Sequence, residues 1–161
     1  MESLKNRVLF LDIDGPICTD RAYFASEHNI HKRVMRAWDQ TCIKMIDAIA
    51  LKYQMRIVIS STWRKRFDVP TILMTHGFRA DYHKDDKTQD LGSRALDIQT
   101  WLNDHPKVDT YLIVDDKESG SSLINDPLSK YTIFCNVFEG FGYKDYMNSV
   151  NILNRRINEL K

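Results

Sequence analysis

The stretch that decides the fold lies at residues 8–15 and has the sequence VLFLDIDG. Its first four residues form a continuous apolar run, which is typical of a strand covered on both faces. The run ends in Asp12 and Asp14, which are separated by one residue. Because residues two apart in an extended segment point to the same side, both carboxylates can serve one reaction centre. The stretch therefore predicts a buried strand that ends in two candidate reactive carboxylates.

Similar apolar runs recur along the chain and alternate with helical patterns. Strands are predicted at 8–11, 56–59, 111–114 and 131–135, and helices at 38–53, 95–102 and 146–160. Asp39 or Thr41 is positioned to cap the first helix, and Ser93 to cap the second. This order predicts an α/β fold, a Rossmann-like three-layer sandwich with a mainly parallel sheet.

Length and composition exclude several classes of protein. The chain has 161 residues, of which 43% are hydrophobic, so we expect one globular domain over 1–161. Lys and Arg number 23 against 22 Asp and Glu, so no overall charge favours nucleic acid or an anionic membrane. The three cysteines, Cys18, Cys42 and Cys135, suggest neither a disulfide framework nor a zinc site. No apolar run is long enough for a signal peptide or membrane span, so we expect a cytoplasmic protein.

Two further strands also end in polar residues. The strand at 56–59 is followed by Ser60-Ser61, and the strand at 111–114 by Asp115-Asp116. In an open parallel sheet, ligands bind outside the carboxyl ends of the strands, where these groups would meet. Four carboxylates on one patch repel each other unless a cation neutralises them, and oxygen ligands favour Mg²⁺.

These residue types suit phosphoryl transfer. An aspartate can act as a nucleophile and form an aspartyl-phosphate, while the second carboxylate moves protons. Ser60 or Ser61 supplies a hydroxyl and backbone N–H groups for a phosphate oxygen. A cation should balance the charge of the transferring group, and Arg94 is the first candidate, with Lys87 as the alternative.

At this point the sequence resembles the haloacid dehalogenase (HAD) superfamily of phosphohydrolases. Asp12-Ile13-Asp14-Gly15 resembles its first motif, Ser60-Ser61 its second, Arg94 its basic third and Asp115-Asp116 its acidic fourth. The stretches ISSTWR at 59–64 and LIVDD at 112–116 are similar to one small branch. That branch comprises nearly capless phosphatase domains of phage, bacteria and multidomain RNA-repair proteins, and is similar to the phosphatase half of phage polynucleotide kinase-phosphatases.

The resemblance implies a role for each matching residue. Asp12 would be the nucleophile and a Mg²⁺ ligand, and Asp14 the general acid/base, with its backbone carbonyl also on the metal. Ser61, with Ser60 as the alternative, would hold the phosphoryl group. Asp115-Asp116 would complete the metal site.

Two positions depart from the family pattern. Pro16 stands where Thr or Val is usual, which alters the turn after Asp14 but removes no catalytic group. Arg94 replaces a more common Lys, keeping the charge and adding bidentate phosphate geometry.

The sequence also bears on the substrate. Only about two dozen residues separate Gly15 from Trp38, and a folded domain needs at least ~50, so no large cap domain fits and the site should be open. The stretch 18–37 is predicted to form a short flap. Its basic residues are interleaved with aromatic ones: Arg21, Tyr23, Phe24, Lys32, Arg33 and Arg36. Such a flap suits a nucleotide or a single-stranded nucleic-acid end, although a solvated loop with both rings packed inward explains it equally well.

Several other residues have competing interpretations. Arg64 could bind a second phosphate, or it could belong to an exposed helix start. The tryptophans at 38, 63 and 101 are most simply core residues, and the five histidines show no metal-binding spacing.

The sequence thus predicts a Mg²⁺-dependent phosphomonoesterase that acts through an aspartyl-phosphate. The expected substrate is a nucleotide or a 3′-phosphorylated nucleic-acid end, as for a nucleotidase or a nucleic-acid repair enzyme. Two alternatives remain: a non-catalytic binder of phosphorylated ends, and a phosphotransferase that uses the same aspartate.

Overall fold

The computed structural model describes residues 6–25 and 38–160. Within them, five parallel strands form one sheet with the order β3-β2-β1-β4-β5. The strands are β1 (Arg7–Leu11), β2 (Met55–Ile59), β3 (Tyr82–Lys87), β4 (Thr110–Asp116) and β5 (Thr132–Cys135). The predicted α/β fold with a parallel sheet is therefore confirmed.

Helices connect the strands on both faces of the sheet. They are α1 (Asp20–Ala25), α2 (Gln40–Tyr53), α3 (Val69–Thr75), α4 (Arg94–Asp104) and α5 (Tyr143–Glu159). Short 3₁₀ helices lie at Thr62–Lys65, Ser121–Leu123 and Pro127–Tyr131. Among the described residues, no helix combines the length and the apolar character that crossing a bilayer requires.

Alternate residues of β1 enter two separate cores, which makes the fold a three-layer sandwich. Leu9 and Leu11 are fully buried in the larger core, which contains residues of α2, α3 and α5. Val8 and Phe10 belong to the other core, which α4 covers; there Phe10 packs edge-to-face on Trp101 at 5.2 Å between ring centres. Because β1 is covered on both sides, its sequence is continuously apolar.

The residues that cap α2 and α4 are among those predicted from the sequence. Of the two candidates for α2, Asp39 is the cap: its carboxylate accepts hydrogen bonds from the backbone of Thr41 at 3.0 Å and of Cys42 at 3.2 Å. Ser93 caps α4, as predicted, by accepting a hydrogen bond from Leu96 N at 3.3 Å. The cap fixes the start of α4 and makes Arg94 its first residue.

Three elements lie outside the predicted strands and helices, although His76-Gly77 predicts a helix end and α3 does end there. β3 has the polar sequence YHKDDK because it is an edge strand with mostly exposed side chains, so it shows no apolar run. α3 has only seven residues, too few for a clear helical period. α1 lies in the stretch 19–36, where no period was found, and it has no buried residue. Residues 26–37 of the predicted flap lie outside the described part of the chain.

No large cap domain is formed by the described residues. The connection from β2 to β4 is taken up by α3, β3 and α4, which all belong to the sandwich. The turn after β1 is anchored to the end of β5, because Phe141 N donates a hydrogen bond to the carbonyl of Pro16 at 2.9 Å. Over residues 6–25 and 38–160, the carboxyl edge of the sheet is therefore bordered by loops and short helices rather than by a second domain.

Replacing Gly140 by alanine should destabilise the fold by about 2–4 kcal/mol, combining left-handed backbone strain with overpacking. Gly140 has φ +71°, and an added Cβ would lie 2.7 Å from both Cys42 Sγ and the Pro16 carbonyl oxygen. Gly77→Ala is the matched control, because Gly77 has φ +84° but no atom within 4 Å of an added Cβ. Urea unfolding should show a loss of about 1 kcal/mol for the control; equal losses in the two variants would contradict the steric argument.

Candidate active site

The parallel ladder brings the three strand ends together. Leu11, the last residue of β1, is in register with Ile59 of β2 and Val114 of β4. The ladder continues one step further, because Asp12 N donates to Val114 O at 2.9 Å and Ser60 N donates to Leu11 O at 3.0 Å. Asp12 and Ser60 follow β1 and β2, whereas Asp115 and Asp116 are the last two residues of β4. The polar residues at these three strand ends are thus neighbours at one edge of the sheet.

Three carboxylates form the centre of this edge. Asp12, Asp115 and Asp116 each place an oxygen within 4.8 Å of the others, and none of the three residues is more than 2% exposed. Burial raises the pKa of Asp12 to about 6, although Arg94 and the Ser61 hydroxyl favour its charged form. Burial, together with the charge of Asp12, also raises the pKa of Asp115 well above its usual range. The neighbouring protein groups therefore do not fully stabilise the charged forms of Asp12 and Asp115.

Arg94 is the cation in contact with this cluster. Its Nε lies 2.7 Å from Asp115 Oδ2 and its Nη2 lies 3.2 Å from Asp12 Oδ1, and the residue is only 8% exposed. The alternative candidate, Lys87, is exposed at the end of β3 and lines a cleft of about 390 Å³ between β3 and α4. Of the two predicted cations, Arg94 is thus the one placed among the carboxylates.

The loop after β4 fixes Asp116 in place. Its Oδ1 accepts hydrogen bonds from the backbone N–H groups of Glu118 at 2.7 Å and Ser119 at 2.9 Å. Gly15, with φ +98°, packs so closely that an added Cβ would lie 2.8 Å from Asp116 Cβ. The glycine of the first motif is therefore required by both its backbone conformation and its approach to the fourth motif.

Asp14 occupies a different environment from Asp12. It is half-buried, and its Oδ2 accepts a hydrogen bond from the indole Nε1–H of Trp63 at 3.1 Å. Trp63 follows β2 in a 3₁₀ helix, and it is also half-buried. Trp38 and Trp101 are core residues, as expected. Trp63 packs against the core but also bonds Asp14, and the sequence carries no signal for this contact.

The two serines after β2 differ in their contacts. The Ser61 side chain caps the following 3₁₀ helix by accepting a hydrogen bond from Trp63 N at 3.4 Å. Its hydroxyl also favours the charged form of Asp12 and so lowers the pKa of that carboxyl group. Ser60 is fully buried, and its Oγ has no hydrogen-bond partner among the described residues. The geometry favours Ser61 as the serine that faces the carboxylates.

Arg64 is buried rather than exposed. Its guanidinium donates to the carbonyl of Ser60, to the carbonyl of Gln89 at 3.1 Å and to Asp97 Oδ2 at 2.9 Å. Both partners of the Arg64–Asp97 ion pair are 4% exposed. Arg64 thereby joins the serine turn to α4, the helix that begins with Arg94. This arrangement favours a positioning role for Arg64 over the binding of a second phosphate.

The central carboxylates are suited to hold a divalent cation. Asp12 Oδ2 is buried and has no hydrogen-bond partner in the described part of the chain, although Asp12 Oδ1 is paired with Arg94. An unpaired buried carboxylate oxygen, with two more carboxylates within 4.8 Å, matches the oxygen-rich coordination that Mg²⁺ prefers. Asp12, Asp115 and Asp116 are the side chains that could hold the ion together.

A second cluster of potential ligands lies at β3 and α4. The structure brings together His83, Asp85 and His105, which the sequence spacing does not reveal. His83 Nδ1 accepts a hydrogen bond from Asp85 N at 3.0 Å, so the ring lone pair on that nitrogen is in use. His105 bonds the carbonyl of Trp101 at 2.7 Å and Asp85 Oδ2 at 2.8 Å. The cluster is therefore satisfied by its own hydrogen bonds.

The predicted flap is described only up to residue 25. Tyr23 and Phe24 are 47% and 59% exposed and contact each other edge-to-face at 5.5 Å between ring centres. Arg21 pairs with Asp39 at 2.7 Å. The remaining basic residues of the flap, Lys32, Arg33 and Arg36, lie outside the described residues. In this part of the chain, the two exposed rings argue against the alternative in which both pack inward.

Comparison with known proteins agrees with this geometry. A search of curated proteins and a search of solved structures found no match. A sequence profile of one protein family, described as the HAD domain in Swiss Army Knife RNA repair proteins, matches residues 8–145. The match begins in β1 and ends in α5, so it covers all the motifs at the carboxyl edge of the sheet. The chain therefore belongs to the family of HAD domains found in Swiss Army Knife RNA repair proteins.

Proposed function

We propose that this protein is a Mg²⁺-dependent phosphomonoesterase that uses Asp12 as its nucleophile. Membership of the HAD family supports a phosphatase-type hydrolase. The observation that carries the proposal is the position of Asp12, which lies between Arg94 and two further buried carboxylates at the central strand end. A protein that only binds phosphate would gain nothing from three buried negative charges, because they repel an anion.

The first chemical step forms a bond between Asp12 and phosphorus. With a pKa of about 6, Asp12 is mostly ionised at neutral pH and has a free lone pair for attack. As the new O–P bond forms, the bond to the leaving oxygen breaks, and Asp14 gives that oxygen a proton. Arg94 and Ser61 stabilise the negative charge on the phosphoryl oxygens.

The second step releases phosphate. Asp14, now ionised, takes a proton from a water molecule, which attacks phosphorus and restores the Asp12 carboxylate. Mg²⁺ held by Asp12, Asp116 and the backbone carbonyl of Asp14 would supply Lewis-acid stabilisation and offset the carboxylate repulsion.

The substrate we propose is a nucleotide or a 3′-phosphorylated nucleic-acid end. The RNA-repair description of the family supports it. The short loops around the site leave room for a bulky leaving group, and the exposed rings of Tyr23 and Phe24 could stack on bases. The protein is proposed to act as one domain over 1–161.

Asp12→Asn should lower kcat for a generic aryl phosphate by about a thousandfold or more, because an amide is no nucleophile. Phosphate release is measured for both proteins with Mg²⁺ and with EDTA, and EDTA should abolish the wild-type activity. Asp85→Asn is the control for loss of an acidic side chain outside the site. Near-wild-type turnover of Asp12→Asn would contradict a mechanism in which Asp12 forms a covalent intermediate.

The same assay separates the alternatives. Binding of 3′-phosphorylated oligonucleotides without turnover in saturating Mg²⁺ would favour a non-catalytic binder. Appearance of a phosphorylated alcohol when an acceptor is added would indicate a phosphotransferase.

Mg²⁺ should raise the melting temperature of the protein, since a ligand of the native state stabilises it by about 2.7 kcal/mol at a hundred times its Kd. Differential scanning calorimetry with and without Mg²⁺ tests this independently of activity. Asp116→Asn should reduce the shift and Asp85→Asn should leave it unchanged. The opposite pattern would place the ion in the second cluster and contradict the proposed site.

Ser61→Ala should lower kcat/KM by about 10- to 100-fold, the range expected for loss of one hydrogen bond to a charged group. Ser60→Ala should change it by less than about threefold, because a side chain that does not contact the phosphoryl group contributes little to transition-state binding. Steady-state kinetics on one aryl phosphate compares the two variants, and a larger loss for Ser60→Ala would reverse the assignment.

A further inference from the structure

We propose that Trp63 is a positioning residue for Asp14, acting through its indole N–H. This inference deepens the proposed function and rests on it, since it concerns the residue assigned to proton transfer. The observation is the hydrogen bond from Trp63 Nε1 to Asp14 Oδ2 at 3.1 Å, between side chains that are both half-buried. No motif in the sequence assigns this role to a tryptophan.

The bond fixes the orientation of the Asp14 side chain. An indole N–H only donates a hydrogen bond, and a carboxylate oxygen only accepts one. The contact at 3.1 Å therefore holds Asp14 Oδ2 on the indole and sets the rotation of the carboxylate about its side chain. The indole thus positions the group that we propose for proton transfer to the leaving group.

The indole itself is held on several sides. Trp38 packs edge-to-face on Trp63 at 5.5 Å between ring centres, and Phe67 stacks on it at 5.4 Å. Trp38 in turn lies parallel to the ring of His76 at 3.4 Å. The backbone N–H of Trp63 is tied to Ser61 Oγ at 3.4 Å. The residue therefore links the serine turn after β2 to the carboxylate after β1.

This arrangement predicts a dependence on the leaving group. Protonation matters most when the departing oxygen is strongly basic, as in a nucleoside, and least when it leaves as a stabilised nitrophenolate. A defect in the orientation of Asp14 should therefore slow the nucleoside ester selectively. A general loss of structure would instead slow both esters by the same factor.

The kinetic test compares kcat/KM of Trp63→Phe on a nucleoside 3′-monophosphate and on para-nitrophenyl phosphate. We expect a loss of about tenfold for the nucleoside ester, which corresponds to one weakened interaction, and less than about threefold for the aryl ester. In an Asp14→Ala background, which has no acceptor for the indole, Trp63→Phe should have no further effect, since the two residues act as a unit. Equal losses on both esters, or additive losses in the double variant, would overturn the proposal.

Trp38→Phe is the matched control. Trp38 belongs to the same aromatic cluster, but its indole N–H has no hydrogen-bond partner among the described residues. It should leave the ratio of the two kcat/KM values unchanged. A change in that ratio as large as for Trp63→Phe would assign the effect to packing of the cluster and overturn the role of the N–H.

A measurement without turnover keeps the inference separate from the proposed function. The chain has three tryptophans, so a ¹H–¹⁵N spectrum gives three indole signals, which single Trp→Phe variants assign. Asp14→Ala, which removes the acceptor, should shift the Trp63 signal. It should leave the signal of Trp101, whose indole N–H donates to the carbonyl of Asp85 at 3.1 Å. An unmoved Trp63 signal overturns the inference even in an active enzyme, whereas a moved signal in a protein without phosphatase activity contradicts only the proposed function.

Discussion

The constraint on which the site depends is the burial of three carboxylates at one edge of a parallel sheet. Asp12, Asp115 and Asp116 are each at most 2% exposed, and unpaired charges in such surroundings are strongly unfavourable. Arg94 offsets part of this cost by contacting two of them. The pKa values of Asp12 and Asp115 remain raised by burial, so Arg94 does not offset the whole cost of burying the charges. A bound cation would offset this remaining repulsion, so we expect the stability of the fold and the binding of metal to be linked.

The rest of the sandwich serves to keep Arg94 and the serine turn in place. Ser93 fixes the first turn of α4, and the buried pair of Arg64 with Asp97 ties that helix to the turn after β2. Removing one partner of such a pair leaves an uncompensated buried charge, so the pair acts as a structural clamp. Arg64, which the sequence suggested as a second phosphate ligand, therefore joins the serine turn to α4 in the structure.

The two aspartates of the first motif differ in their surroundings, and this difference suits two different roles. Asp12 lies deep in the edge of the sheet beside Arg94, where a nucleophile is shielded from water. Asp14 is half-buried beside the indole of Trp63, so its carboxylate lies closer to solvent than that of Asp12. Environments that separate the behaviour of paired carboxylates are a general way to divide acid, base and nucleophile roles.

The sequence by itself determined the buried strands, their polar ends and the order of helices, because apolar runs and caps such as Asp39 and Ser93 are local signals. It could not reveal β3, since an edge strand needs no apolar pattern, nor the bond between Trp63 and Asp14, which are 49 residues apart. It left Arg94 and Lys87 as alternatives, and only the register of the sheet and the start of α4 placed Arg94 against Asp12. The physical reason is that strand and helix formation follow local periodicity, whereas side-chain partners depend on which strands become neighbours and in what register.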